Sequence, residues 1–321
     1  MEASLSVFTA ILPIFLIIGC GALARLFGWL DENADQSLIK LVINLLYPAL
    51  IFSFILGNDV LRKPENLIIP PLFGLGSVIV GFILSLIFAS KFGIGSKEDK
   101  RTFSFITGIY NSSYFPLPII GLLFDRETVG ILLVFNLGVE IAIWLFGVGF
   151  VLSPMKTKSL LSRLLNAPVI AILLATWMNY FQFDQALPDF SMKAIRMLGQ
   201  CAIPIGLLLI GAIFVDLRAN ISTLTKVKVP LCASFLRLAV LPAIFLFAAF
   251  FLESYFLLLS PELAKVVIVQ AAMPCAVFPV VLVRHFGGST DIAFKIVLST
   301  TFLSFLTIPL WIQAGMSLFG L

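Results

Sequence analysis

Residues 110–124 read YNSSYFPLPIIGLLF, which sets Asn111, Ser112 and Ser113 ahead of Pro116 and Pro118 inside an apolar run. Proline has no amide proton and its ring clashes with the preceding turn, so a helix entering this stretch does not pass Pro116 unbroken. A break of this kind frees backbone N–H and C=O groups to bind a solute, and the Asn111 amide adds donors and an acceptor beside them. Pro116 suits the first turn of the half-helix that follows, and Ser113 is the expected cap for it. The positive end of that half-helix favours an anion such as a carboxylate.

A second stretch carries the same grammar. PCAVFP at 274–279 aligns with NSSYFP at 111–116, which makes Pro274, Cys275 and Pro279 counterparts of the first break. Upstream, KLVINLLYP (40–48) matches RMLGQCAIP (196–204): each starts on a basic residue and reaches its proline eight positions later. Asn44 and Gln200 then stand at equivalent places, four residues before Pro48 and Pro204, and are expected to face a solute pathway. These landmarks recur five hydrophobic segments apart. Because five is odd, the second copy enters a membrane from the opposite side, the inverted-repeat pattern of secondary transporters.

The ionisable residues within apolar segments are few. Glu140 lies deep in its segment with Asn136 one turn earlier on the same face. A carboxyl held at such depth is costly and marks a candidate proton carrier or an internal ion pair. Arg237 is the deepest cation, expected either to pair with Glu140 or to take a substrate carboxylate in bidentate fashion. The hydroxyls Ser299, Thr300, Thr301, Ser304 and Thr307 suit helix–helix hydrogen bonding. His285, the single histidine, falls at a segment end beside Arg284, where an interfacial role is expected.

The elements that must hold these residues are membrane helices. The chain has 321 residues, of which 60% are hydrophobic and 12% charged, against about 25% charged in soluble domains; its mean hydropathy is +1.10. Runs of roughly 20 apolar residues recur throughout. Ten spans are expected near 6–27, 37–56, 67–90, 102–124, 128–151, 166–182, 191–213, 229–251, 263–285 and 291–313. The first reads as a membrane helix and not a removed leader, since it lacks a basic start and a cleavage site. The fold class is thus all-α and polytopic: two inverted five-helix repeats, 1–155 and 156–321, with broken helices in spans four and nine.

Lys and Arg set the orientation. Loops after odd spans hold Arg25, Lys91, Lys97, Lys100, Arg101, Lys156, Lys158, Arg163, Arg218, Lys226, Lys228, Arg284 and Lys295; loops after even spans hold only Arg62, Lys63, Arg126, Lys193 and Lys265. The richer side is expected to be cytoplasmic, leaving both termini outside the inner (plasma) membrane. Scattered charges and a net +4 give no surface for nucleic acid. The cysteines, Cys20, Cys201, Cys232 and Cys275, form no CxxC pair and read as packing residues.

NSSYFPLP, MPCAVFPVV, LVINLLYPALIF, LNAPVIAILLATWM and LGQCAIPIGLLLIGA together resemble the auxin efflux carrier family, over essentially the whole chain. The bile-acid/sodium symporters share the architecture more distantly. The resemblance implies a scaffold of spans one, two, six and seven and a mobile transport unit of spans three to five and eight to ten. It also implies that the broken helices cross beside the substrate, with Asn111, Pro116 and Pro279 at the crossing, and a homodimer. The chain lacks the long central loop of plant auxin carriers, which points to a short prokaryotic member.

The expected function is alternating-access transport of a small organic anion, with protons as the coupling ion ahead of sodium. A bile-acid-type sodium symporter and a channel or solute sensor on the same scaffold are the alternatives. No serine-protease GxSG with a deep histidine, pair of membrane aspartates, phosphate-binding loop or metal cluster is present, so no enzyme activity and no cofactor or metal are expected.

Overall fold

The computed structural model describes residues 2–152, 164–219, 228–257 and 259–321, and these form helices with no β-strand among them. In chain order the helices are α1 (Glu2–Leu26), α2 (Glu32–Leu41), α3 (Tyr47–Ile55), α4 (Glu65–Lys91), α5 (Lys97–Gly108), α6 (Pro116–Leu123) and α7 (Arg126–Ile141). There follow α8 (Ala167–Tyr180), α9 (Asp189–Ala219), α10 (Lys228–Phe235), α11 (Leu241–Phe256), α12 (Pro261–Ala272), α13 (Pro279–His285) and α14 (Thr290–Phe319). The expected repeat boundary at 155/156, and Lys156, Lys158, Arg163 and Lys226 of the orientation argument, lie outside the described residues.

Among the described residues, seven continuous helical runs are long and apolar enough to cross a membrane. They coincide with expected spans one, two, three, five, seven, eight and ten. The other three segments are shorter for identifiable reasons. Spans four and nine are each divided, into α5 and α6 and into α12 and α13, and in both the second piece opens on proline, at Pro116 and Pro279. Segment six is α8, whose 14 residues extend about 21 Å.

Proline also shapes helices it does not interrupt. Val42–Leu46 and Leu236–Val240 are π-helical, and each ends two residues before a proline, Pro48 or Pro242. The residue before each proline donates five residues back, Tyr47 to Val42 and Leu241 to Leu236. The proline ring crowds the carbonyl four residues earlier and supplies no N–H to it. Widening the turn relieves that crowding, and such π-bulges turn side chains in unusual directions. Tyr47 and Arg237 both sit at these bulges.

Two groups of helices pack tightly. In the first, α1 lies along α9, α3 packs on α9, and α8 packs on α3. Gly21 of α1 faces the Leu208 backbone and Gly211 of α9 faces Ile18; a Cβ at either position would overlap the opposing carbonyl oxygen. Without a hydrophobic drive between helices in lipid, such close backbone approach is the main attraction. The Arg25 guanidinium fastens one end of this group by pairing with Asp35 and Asp216. The second group joins α4, α5 and α7, with Gly138 of α7 against Pro71 of α4, to α10 through α14. The cysteines are free, Cys275 buried and Cys20 and Cys201 exposed.

At the end of the second group, Asp125 caps α7 and binds α12. Its carboxylate accepts from the Thr128 amide at 2.8 Å and hydroxyl at 2.7 Å, and from Lys265 Nζ at 2.9 Å. Burial alone would push this carboxyl up, but Lys265 and Thr128 outweigh it and hold it at about 2, below its ordinary 3.8.

Two outcomes are expected. Gly211→Val, which forces α9 away from α1, destabilises the protein by about 1–3 kcal/mol, seen as a lowered unfolding temperature in detergent. Because the folded Asp125 titrates below its unfolded value, its stabilisation is complete at neutral pH and fades as pH falls from about 4 to about 2. Asp125→Asn is therefore less stable than wild type at pH 7, and denaturation curves of the two converge near pH 2.

Candidate functional site

The two interrupted helices are joined at their breaks. Residues 109–115, between α5 and α6, and 273–278, between α12 and α13, leave the helix and run past each other, with Tyr110 and Cys275 forming an antiparallel bridge. The Asn111 amide donates to the Pro274 carbonyl at 2.8 Å, and the Ala276 amide donates to the Ile109 carbonyl at 3.1 Å. Unpaired backbone at this depth costs several kcal/mol per group. Each break therefore supplies what the other lacks.

Side-chain amides from flanking helices converge on the first break. Asn136 of α7 donates to the Ser112 carbonyl at 3.0 Å and to Ser113 Oγ at 3.3 Å. Gln270 of α12 donates to the same carbonyl at 3.2 Å and to Asn136 Oδ1 at 3.1 Å. The Tyr47 hydroxyl reaches over from the first helix group to donate to Ser113 Oγ at 2.8 Å. Tyr110 exchanges a hydrogen bond with Ser77 of α4 at 2.7 Å. Asn111, Asn136 and Gln270 are all buried, yet the Asn111 side chain has no hydrogen-bond partner among the described residues.

The second break is held by Arg237, which is 0% exposed. Its Nε donates to the Met273 carbonyl at 3.0 Å and its Nη2 to the Ala271 carbonyl at 3.3 Å. The cation thus sits at the negative end of α12. Its guanidinium carbon lies 4.9 Å from the Tyr110 ring centre and 5.7 Å from that of Phe245. Nη1 is buried without a partner. The expected pairing with Glu140 does not occur: the hydrogen-bonding neighbours of Glu140 are Trp144 and Asn166. Arg237, in the π-bulge before Pro242, is committed instead to the carbonyls at the end of α12.

Other expectations are corrected. Ser113 does not cap α6, whose first turn has no side-chain cap; its hydroxyl is engaged by Tyr47 and Asn136 instead. Nor does that first turn offer free amides. Pro116 and Pro118 have none, and the Leu117 amide is spent on the Ser113 carbonyl. Just upstream, the amides of Ser113 and Tyr114 lie in a bend and turn and make no backbone hydrogen bond among the described residues. Asn44 is exposed and returns its amide to the Lys40 carbonyl at 2.8 Å, away from the break. Gln200 lines a separate cavity of about 580 Å³, together with Pro118.

Among the hydroxyls of α14, Thr300 and Ser304 bond their own backbone, and Ser299 bonds across to Ser234 of α10 at 3.2 Å. His285 ends α13 with its ring edge-on to Phe286. Among the described residues no group of three or more His, Cys, Asp or Glu is placed to hold a metal.

Tyr47, Ser77, Tyr110 and Gln270 were not singled out from the sequence. A signal exists for two of them. Tyr47 immediately precedes Pro48, and Gln270 is the single polar residue in the apolar stretch from Val266 to Met273, four positions before Pro274.

The family model described as membrane transport protein matches residues 6–157 and 150–312. An uncharacterised transporter of Methanocaldococcus jannaschii is 24% identical over 307 residues, covering 94% of this chain and 96% of that one. An uncharacterised transporter of Methanothermobacter thermautotrophicus is 23% identical over 307 residues, with the same shares of 94% and 96%. With nearly the whole chain matched and several apolar helices of spanning length, this is a multi-pass membrane protein that belongs to the auxin efflux carrier-like membrane transport protein family.

Proposed function

We propose that the protein is a secondary transporter of a small organic anion, bound where the two breaks meet and carried by alternating access. One observation carries this reading: the buried Arg237, with no carboxylate partner among the described residues, stands beside two opened backbones. A fixed cation in a low-dielectric interior favours an anion strongly. The Asn111 side chain and the amides of Ser113 and Tyr114 are the donors left to receive it.

In this reading the chain forms ten spans as two inverted repeats, with α5–α6 and α12–α13 as crossing helices. The group α1, α2, α3, α8 and α9 is the scaffold, and the remainder is the unit that moves. Between the groups the contacts include hydrogen bonds, from Arg126 to the Ser53 and Leu56 carbonyls and from Tyr47 to Ser113, and ring contacts. Tyr114 rests its ring on Gly206, and Phe115 meets Phe15 edge-on with centroids 5.6 Å apart, whereas within each group backbones touch. Glu140, one turn beyond Asn136 on α7, is the proton carrier that couples the movement to a pH gradient. Both termini face outward, and the protein acts in the inner membrane as a homodimer.

The test is uptake of radiolabelled mono- and dicarboxylates into proteoliposomes. Wild type shows saturable uptake; Asn111→Ala lowers it at least tenfold, and Glu140→Gln removes its response to an imposed pH gradient while exchange persists. Full uptake by Asn111→Ala would move the binding site away from the breaks. Ohmic flux that never saturates would identify a channel.

A further inference from the structure

A second cavity, of about 340 Å³, is lined by the second helix group and the first break alone. Its size falls within the roughly 300–1,000 Å³ of small-molecule sites. The walls are α4 from Leu72 to Val80 and α11 from Ile244 to Leu252; the floor includes Tyr110 at the break with Val267, Gln270 and Ala271 of α12. α4 and α11 do not pack closely on each other, and the space between them opens on their outward faces, where Leu72, Ile244 and Phe247 are exposed. Both helices belong to runs long and apolar enough to cross a membrane. Leu72 to Val80 lie about 10 to 22 Å along α4 from its start, in the middle of the span.

Gly76 keeps this crevice open. Gly74 and Gly81 of the same helix are explained by close packing, since a Cβ there would overlap the Phe135 and Gly108 carbonyl oxygens. A Cβ at Gly76 would meet nothing within 4 Å, so no neighbouring helix requires glycine at that position. On the other wall the lining residue Ala248 is also small.

The polar groups of the lining are largely spent. The Ser77 hydroxyl donates to the Gly74 carbonyl at 2.8 Å, which leaves its oxygen to accept from Tyr110 at 2.7 Å. Gln270 gives its NH2 group to Ser112 and Asn136, and its Oε1 has no partner. Each buried water needs two to four polar partners, and a space of this size with no free donor does not hold water. Left empty, the crevice would cost its walls the dispersion contacts of a packed interior. At mid-span the bilayer supplies one filler, the methylene chains of its phospholipids, whose headgroups stay at the surface.

We infer that the crevice between α4 and α11 is a lipid site, filled by one acyl chain of a bilayer phospholipid that lodges against Tyr110. Tyr110 and Phe245 both line the crevice, and both rings lie against the Arg237 guanidinium. The chain therefore backs the two rings that flank the cation holding the second break. This site is separate from any solute site and does not depend on which solute the protein carries.

The test uses purified full-length protein in phosphatidylcholine nanodiscs, with a fraction of the lipid carrying a diazirine midway along one acyl chain. After irradiation, mass spectrometry maps the labelled residues. In wild type the label reaches buried Tyr110 as well as Phe247, which faces outward and which any surrounding lipid can touch. Gly76→Leu fills the crevice without a clash and lowers labelling of Tyr110 relative to Phe247 roughly fivefold or more, the order expected when a chain loses its packing contacts. Ala248→Phe does the same from the other wall, and labelling of Phe247 persists in both variants. Thermal unfolding gives a second readout. In lipid-free detergent Gly76→Leu unfolds at a higher temperature than wild type, and added phosphatidylcholine narrows the difference because lipid fills the wild-type crevice instead.

Label on Phe247 with none on Tyr110, or Tyr110 labelling that both variants leave unchanged, would overturn the lipid site. Loss of the Tyr110 label on adding a small mole fraction of oleate would overturn the assignment to phospholipid and give the crevice to single-chain amphiphiles. None of these readouts involves uptake, so their failure is distinct from failure of anion transport.

Discussion

The structure depends on the mutual pairing of two opened backbones inside an apolar bundle. Hydrocarbon offers no hydrogen bonds, so a membrane helix that opens must find partners within the protein. Here the partner of one opened helix is the other. The bonds from Asn111 to Pro274 and from Ala276 to Ile109 bring residues more than 160 positions apart into one bridge. Around it the helices α5, α6, α12 and α13 present their ends toward a common centre, and a set of buried polar side chains gathers there. Asn136 and Gln270 share the Ser112 carbonyl, Arg237 takes the carbonyls at the end of α12, and Ser77 holds the Tyr110 hydroxyl.

Proline is the common cause of the irregularities that build this site. At Pro116 and Pro279 it starts a new helix after a non-helical stretch. At Pro48 and Pro242 it leaves the helix continuous but widens the turn before it, and the residues displaced are Tyr47 and Arg237. One residue type therefore opens the backbone and also aims the side chains that stabilise the opening. Glycine does the opposite work elsewhere. Gly21, Gly211 and Gly138 let backbones touch and lock helices within each group, while Gly206 accepts a Tyr114 ring across the groups.

The placement of charge follows the same division. Arg25 and Asp125 are saturated by opposite charges at helix ends, where they fasten the fold. Arg237, Arg126 and Arg196 have no carboxylate among the described residues, and all three stand at the breaks or in the cavity beside them. Glu140 is held by neutral neighbours, Trp144 and Asn166. Arg237, Arg126, Arg196 and Glu140 all lie at or within a few turns of the two broken helices.

Composition and the spacing of apolar runs determined the helical membrane class, and the paired Phe-Pro sequences determined where two helices break, because proline's missing donor acts locally whatever surrounds it. Asn136, Arg237 and Asn111 were legible as well, since a polar residue in an apolar run stands out. What those residues touch was not legible. Arg237 took the carbonyls at the end of α12 and not Glu140, the Ser113 hydroxyl bonded Tyr47 and Asn136 and not the start of α6, and the Asn44 amide turned back to the Lys40 carbonyl. Gln270, Tyr110 and Arg126 looked ordinary until distant helices came together around them. Local sequence fixes where backbone groups are left unpaired; only the packed bundle decides which group, a hundred or more residues away, arrives to pair with them.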